Sequence, residues 1–447
     1  MISVVPTKEE KSRLLSAANK VLLEIEKETK EIDKRIRPVL LGSASRDTWL
    51  PNERDLDVFL IFPLEYEKAR MEEVVTGIGR KILTGVTKRY AEHPYVRGVY
   101  GGFEVEIVPC YAVASPRDLK SAVDRTPFHD KFVKGRILGK ENEVRLLKRF
   151  LKGIGCYGAE AKVEGLSGYL CELLIIKHGS FEGVLKAACE WHVGHIIWIG
   201  NLKRKKDKKF TEPLVFIDPV DENRNVSSAL SNTKLNEFIF AAKKYLEGPR
   251  DEFFFPKKRV AEKSEIIRKF EKRKTCIVAV VIKTPDLVDD VLYPQLKRAV
   301  GTIKKLLLRS DFPVIGIDFF VGDKTCILIE LASIEIPPLR LHKGPEVNTP
   351  HETRFLKKYL KFDGKLTEPF IMGDRWAIFL KRRYTNARAL LYDFLSQEHL
   401  EKEGMPKYIA NSLSEGHIIS EGISAILPDF SENLMAYFDP RFRWESS

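Results

Sequence analysis

Apolar residues recur at helical spacing from the start of the chain. Leu14, Leu15, Ala18, Val21, Leu22 and Ile25 predict a long helix over residues 7–36, with Thr7 and Glu10 spaced as a capping box. The period then changes. Val39-Leu40-Leu41 reads as a strand running into Gly42-Ser43, and Val58 to Phe62, closed by Pro63, reads as a buried strand with Asp55 and Asp57 at its start. A helix is predicted over 67–89. Residues 96–111 read as a hairpin turning at Gly101-Gly102, in which Phe103, Val105 and Ile107 alternate with Glu104 and Glu106. Thr126-Pro127 marks a helix start, and further helices are predicted from 141 to about Gly153–Gly155 and over 165–177, the last mostly core. Residues 247–263 look like a boundary. Beyond it the order is strand (275–282), helix (290–309), strand (314–321), strand (325–331), part of a ferredoxin-like or RNA-recognition-type pattern. Residues 351–384 read as helix, loop and strand.

These elements predict an α+β multidomain chain. At 447 residues there is room for about three domains, drawn at 1–140, 141–255 and 256–447. No apolar run reaches about 18 residues, so no membrane-spanning helix is expected. The N-terminus lacks an apolar signal core, and the six scattered cysteines form no C-x-x-C pair, so a disulfide framework is not expected and the cytoplasm is. Cys189, His192 and His195 have a suggestive spacing but no fourth ligand, and zinc is set aside. The net charge of +12 favours a polyanionic partner.

The candidate chemistry lies in GSASRDTWLPNERDLDVFLIFP, residues 42–63. Asp55 and Asp57, two apart on a strand, point to one side and repel each other, an arrangement that a divalent cation relieves. Carboxylate oxygens together with substrate phosphates suit Mg²⁺. Gly42 lets a ligand approach the backbone. The Ser43 hydroxyl and Arg46 are candidate phosphate contacts. Glu106 and Glu104 share one face of the hairpin strand.

The order strand, Gly-Ser, spacer, Asp-x-Asp, apolar strand resembles the signature of the polymerase-β-type nucleotidyltransferase superfamily. The longer string, with the later segments EIVPCY, TPFH and DPVDENRNV, is similar to the archaeal, class I CCA-adding enzymes (tRNA nucleotidyltransferases). Asp55 stands where that family more often has Glu, and Glu106 where it usually has Asp. The resemblance implies a polymerase-β-like head, a mostly helical central domain and an α+β C-terminal region that grips the acceptor arm and elbow of tRNA. It implies template-free transfer of C, C and A from CTP and ATP, by two-metal phosphoryl transfer at Asp55, Asp57 and Glu106, with release of pyrophosphate. Glu104 stays open as the alternative third acid. The resemblance makes Thr126, His129, Lys148 and Tyr157 nucleotide contacts, and places Arg224, with Asn225 beside it, against the incoming base. A homodimer is left open.

Two basic stretches add to this picture: KRKKDKK at 203–209, and Lys357, Lys358, Lys381, Arg382 and Arg383 interleaved with Phe355, Tyr359, Trp376 and Tyr384. The rival readings are a poly(A) polymerase or oligoadenylate synthetase of the same fold, a non-catalytic tRNA-binding protein, and a glycosyltransferase sharing only the Asp-x-Asp.

Overall fold

In the computed structural model Thr7 and Glu10 close the expected capping box, each side chain bonding the other's backbone N–H, and helix α1 (Lys8–Ile32) follows. The structure describes residues 4–90, 94–200, 210–257, 259 and 261–445. The basic segment 203–209 therefore lies outside the described residues. By its contacts the chain divides into two units, Met1–Lys258 with Phe442–Ser447, and Arg259–Arg441. The last residues thus belong with the first unit, not with the C-terminal region where the sequence places them.

In the first unit, β1 (Arg37–Leu41), the short turn of helix α2 (Gly42–Ser45), β2 (Asp55–Phe62), α3 (Lys68–Ile82), β3 (Thr84–Tyr90), β4 (Pro94–Tyr100) and β5 (Phe103–Tyr111) build a five-stranded sheet. Its strand order is β1-β2-β5-β4-β3. Only the β2–β5 pair is parallel. Leu56, Val58, Val105 and Ile107 are fully buried on one face, against Leu14, Val21, Met71 and Val75 of α1 and α3. The predicted helix over 67–89 ends instead at Ile82. Gly85, at φ 62°, and the β-branched Val86 and Thr87 pass into strand β3, which pairs with β4. The hairpin turns where expected, with Gly101 and Gly102 both at positive φ (57° and 83°), as a type I′ turn requires.

A second core in this unit is helical. It is formed by α4 (Thr126–Ile137), α5 (Glu141–Ile154), α6 (Gly168–His178), α7 (Phe181–Ala188) and α8 (Asn232–Glu247), with the short parallel pair β6 (His195–Ile197) and β7 (Leu214–Phe216). Gly155, left-handed at φ 77°, caps α5. Thr126 is not the side-chain cap of α4. A 3-10 turn (Ala122–Arg125) leads into that helix, and the Asp124 carboxylate accepts from the Ser121 N–H at the start of the turn. The C-terminal Trp444 enters this core, stacked on Phe442 (4.7 Å between centroids) and Phe253 (5.2 Å).

The second unit contains α9 (Lys263–Arg273), β8 (Cys276–Lys283), α10 (Asp289–Arg309), β9 (Val314–Val321) and β10 (Lys324–Leu331), matching the expected strand-helix-strand-strand order. Next come β11 (Leu339–Glu346), α11 (Glu352–Leu360), β12 (Phe370–Met372) and β13 (Arg375–Lys381), a three-stranded sheet with its helix. The chain returns through α12 (Ala387–Leu395) and α13 (Lys407–Glu415) to β14 (His417–Glu421) and ends the unit with α14 (Ser431–Phe438). The larger sheet, β14-β8-β10-β9, is covered on both faces. Val278, Val280 and Ile282 pack with α10, α12 and α13, while Ile277, Ala279 and Val281 pack with α9 and α14. The basic and aromatic residues of 351–384 separate: Phe355 and Tyr359 are core, the Tyr384 hydroxyl donates to Asp393, and Arg382 bonds the Pro337 carbonyl and Asp311. Lys357, Lys358, Lys381 and Arg383 remain exposed.

Because Trp444 is part of the first unit's core, Trp444→Ala is expected to cost that unit about 3–5 kcal/mol. Calorimetry should show the first unit's transition lowered and that of Arg259–Arg441 unmoved.

Candidate active site

The parallel register sets Asp55 beside Glu104 and Asp57 beside Glu106. Neighbours in register share a face, so all four carboxylates project from the side of the sheet opposite the apolar core. Burial, then Glu104 and Glu53, raise the Asp55 carboxyl above its ordinary value. Burial, then Asp55, push Asp57 up to about 6, against the pull of Arg46 and Lys148. Arg97 on β4 lies in register with Glu106, bonds the Glu104 carboxylate, and has its Nε 3.9 Å from Glu106.

The Gly-Ser turn meets the acids directly. Leu41 pairs with Asp57, and the next residue, Gly42, adopts φ 73°. A Cβ there would lie 1.9 Å from Asp57 Oδ2, so only glycine permits this approach. Ser43 follows, half-buried, its carbonyl accepting from the Thr48 N–H.

Beneath the acids is a layer of buried charge. Arg46 donates from Nε to Glu172 and from a terminal nitrogen to Asp130, each at 3.0 Å. Lys148 is 2 % exposed; its ammonium donates to the Thr48 carbonyl at 2.9 Å, and burial lowers its pKa. The Thr48 hydroxyl bonds Glu172 at 2.6 Å. Tyr157 stands close by: a Cβ on Gly168 would be 3.0 Å from its hydroxyl and 3.6 Å from Lys148 Nζ. Arg46 and Lys148, a candidate phosphate contact and a nucleotide contact implied by the resemblance, thus lie buried with donors already engaged.

The loop after β7 forms the other flank. Asp218 is fully buried and accepts from His129 Nε2 (2.9 Å), Arg224 (2.8 Å), the Val220 N–H (3.0 Å) and the Tyr169 hydroxyl (3.4 Å). The His129 ring stacks on Tyr169 at 4.2 Å. Arg224 remains about a third exposed. Asn225 turns its amide to the loop itself. Its Nδ2 donates to the Leu214 carbonyl and its Oδ1 accepts from the backbone of Phe216 and Ser227, so the amide holds the loop rather than facing a nucleotide. Thr126 sits half-buried at the start of α4, one turn before His129.

Sequence reasoning missed Glu172, Asp130 and Asp218. A signal existed for Glu172: an acid inside the apolar helix LCELLIIK must be buried, and a buried carboxylate needs partners.

The donor set fits a hard divalent cation: only carboxylate oxygens, on one face, with the Asp57 carboxyl raised by burial and by Asp55. Among the described residues no three His, Cys, Asp or Glu groups close around one point. Mg²⁺ does not need such a cage, since it takes one or two carboxylates and completes its shell with water and substrate phosphates.

Comparison with known proteins covers nearly the whole chain. Residues 22–129 match the nucleotidyltransferase domain family, 142–255 the second domain of tRNA nucleotidyltransferase, and 273–422 the C-terminal domain of CCA-adding enzyme. The CCA-adding enzyme of Methanosarcina barkeri is 39% identical over 94% of this chain and 92% of its own length. That of Archaeoglobus fulgidus is 44% identical over 78% of each. That of Methanoregula boonei is 37% identical over 98% of this chain and 93% of its own.

Two outcomes follow from the geometry. Gly42→Ala displaces the Asp57 carboxylate and should lower nucleotide incorporation by about a hundredfold, as a shift near 1 Å at reacting groups does, while far-ultraviolet circular dichroism stays native. The second concerns pH. Folded Asp57 titrates at about 6 against an ordinary 3.8, so between those values the native state holds the extra proton and stability falls as pH rises. In chelator, the melting temperature of the wild type relative to Asp57→Asn should therefore drop from about pH 4 to about pH 6 and level off above. A rise over that window would contradict the burial of Asp57.

Proposed function

The chain belongs to the CCA-adding enzyme family of tRNA nucleotidyltransferases, and from that premise we propose that it adds C, C and A, drawn from CTP and ATP, to the 3′ end of tRNA without a nucleic acid template. The observation that carries the reading to particular residues is the contact between Gly42 and Asp57, because it joins the phosphate-binding turn to the acid pair.

Asp55, Asp57 and Glu106 hold Mg²⁺ in this reading, with Glu104 assigned to Arg97. The cation, when bound, lowers the pKa of the RNA 3′-hydroxyl and offsets charge on the phosphoryl group and the departing pyrophosphate. The chain's own groups bind and orient. Ser43 and the N–H groups of its turn donate to phosphate oxygens. Arg46, Lys148 and Tyr157 place positive charge and a hydroxyl beneath the triphosphate. Thr126 and His129 flank the sugar and phosphates, and Arg224 faces the base. Residues 1–140 act as the head, 141–255 complete the nucleotide pocket, and 256–441 serve tRNA, with the ferredoxin-like pattern assigned to the β14-β8-β10-β9 sheet as scaffold. The match of 273–422 to the C-terminal domain of CCA-adding enzyme supports this over a poly(A) polymerase.

The test incubates the protein with Mg²⁺, labelled CTP or ATP, and tRNA transcripts ending before CCA, after C and after CC. Ordered addition of C, C and A with a stop is expected. Asp55→Ala/Asp57→Ala should reduce it by about a thousandfold or more, as losing several kcal/mol of charge stabilisation requires. Unlimited tailing from ATP alone would overturn the reading.

A further inference from the structure

We propose that Asp218 is a positioning residue that yokes His129 to Arg224, so that the two are aimed at a bound nucleotide as one unit. The proposal rests on the reading of His129 and Arg224 as nucleotide-facing and says how they are held. One oxygen, Oδ2, accepts from both, at 2.9 Å from His129 Nε2 and 2.8 Å from the Arg224 guanidinium. The partners come from different places: His129 from α4, near the acidic sheet, and Arg224 from the loop after β7. Asp218 is 0% exposed and so is withdrawn from any ligand, while the Arg224 side chain is 35% exposed and can reach one.

Three further observations favour aiming over mere support. The loop is already fixed without the Asp218 side chain: Arg125 Nε donates to Asp221 at 2.9 Å, Asp218 N–H bonds the Arg224 carbonyl, and the Asn225 amide bonds backbone on both sides. The carboxylate is held by directional donors, the Val220 N–H and the Tyr169 hydroxyl on Oδ1 locking its plane. Tyr169 also stacks on the imidazole at 4.2 Å, leaving His129 little freedom except about the Asp218 bond. Although burial alone would raise its pKa, the bonds from His129, Val220 and Arg224 keep the Asp218 carboxyl below its ordinary value, so the shared acceptor stays charged near neutral pH.

The test measures kcat and KM for CTP on tRNA lacking CCA and for ATP on tRNA ending in CC. The variants are Asp218→Asn, His129→Gln, Arg224→Gln, and the doubles Asp218→Asn/Arg224→Gln and His129→Gln/Arg224→Gln. Asp218→Asn should raise the nucleotide KM roughly tenfold, as loss of a charge-assisted bond does. The KM for tRNA should be unchanged, and ATP should be misincorporated where CTP belongs. Each double variant should be no worse than its poorer single, because groups acting as a unit are not additive. Additive losses, or wild-type nucleotide KM in Asp218→Asn beside a defective Arg224→Gln, would overturn the yoke. Should Asp218→Asn fail to fold, the His129→Gln/Arg224→Gln cycle decides alone. Wild-type kinetics in both single variants at His129 and Arg224 would instead overturn the underlying reading of the site, and the proposal with it.

Discussion

Repulsion among Asp55, Asp57, Glu104 and Glu106 is the constraint on which the first unit depends. Four acids on adjacent strands would separate if the sheet could slip. It cannot, because the other face of the same strands is Leu56, Val58, Val105 and Ile107, all fully buried. A shift of one residue would bury carboxylates and expose that whole set. The hydrophobic effect on one face thus fixes a charge distribution on the other. Asp57 bears the consequence, its carboxyl raised to about 6 by burial and by Asp55, and Gly42 presses backbone against it where any side chain would intrude.

Below this face the molecule repeats one device. A carboxylate removed from water holds a cation on a long side chain: Asp130 and Glu172 hold Arg46, and Asp218 holds Arg224. Such buried pairs are weak sources of stability, since desolvation offsets most of the Coulombic gain, and apolar replacements of similar volume are often neutral or better. Their presence is accounted for by geometry. A cation on a long side chain has many rotamers, and a fixed partner leaves it one, so the entropy of ordering is met in folding and not again at each binding event.

Several elements were legible because they are local. The Thr7 capping box, the Gly101-Gly102 turn, the Asp55–Phe62 strand and the strand-helix-strand-strand order after residue 275 are each written in a few adjacent residues. Strand β3 was missed because an edge strand of seven residues continuing from a helix carries no turn signal except Gly85. The partners of Arg46 and His129 were illegible for another reason. Glu172 is 126 residues from Arg46, and Asp218 is 89 from His129. Such pairings are set by how helices pack, and the chain alone carries only the hint that an isolated acid among apolar residues must find a partner. The amide of Asn225 could not be placed from the sequence either, because an Asn beside a loop arginine suits a ligand contact and equally suits closing a loop on itself, which its bonds to Leu214, Phe216 and Ser227 do.

The second unit bears on recognition by what it hides. A sheet that stacks bases must leave one face open with aromatic rings on it. Here both faces of β14-β8-β10-β9 are covered, and Phe355 and Tyr359, two of the aromatics interleaved with the basic residues of 351–384, are core. Those segments turn outward both charge, at Lys357, Lys358, Lys381 and Arg383, and apolar side chains, at Leu360, Phe362, Leu366, Ile371 and Met372. The basic contacts meet phosphates and carry no base information, and their strength falls with salt. On the proposed function those basic contacts suit a substrate met in many sequences. A protein that must act on tRNAs of every sequence gains nothing from reading bases in the body of its substrate, and its discrimination is confined to the nucleotide pocket, where one buried carboxylate fixes the direction of the one exposed guanidinium it holds.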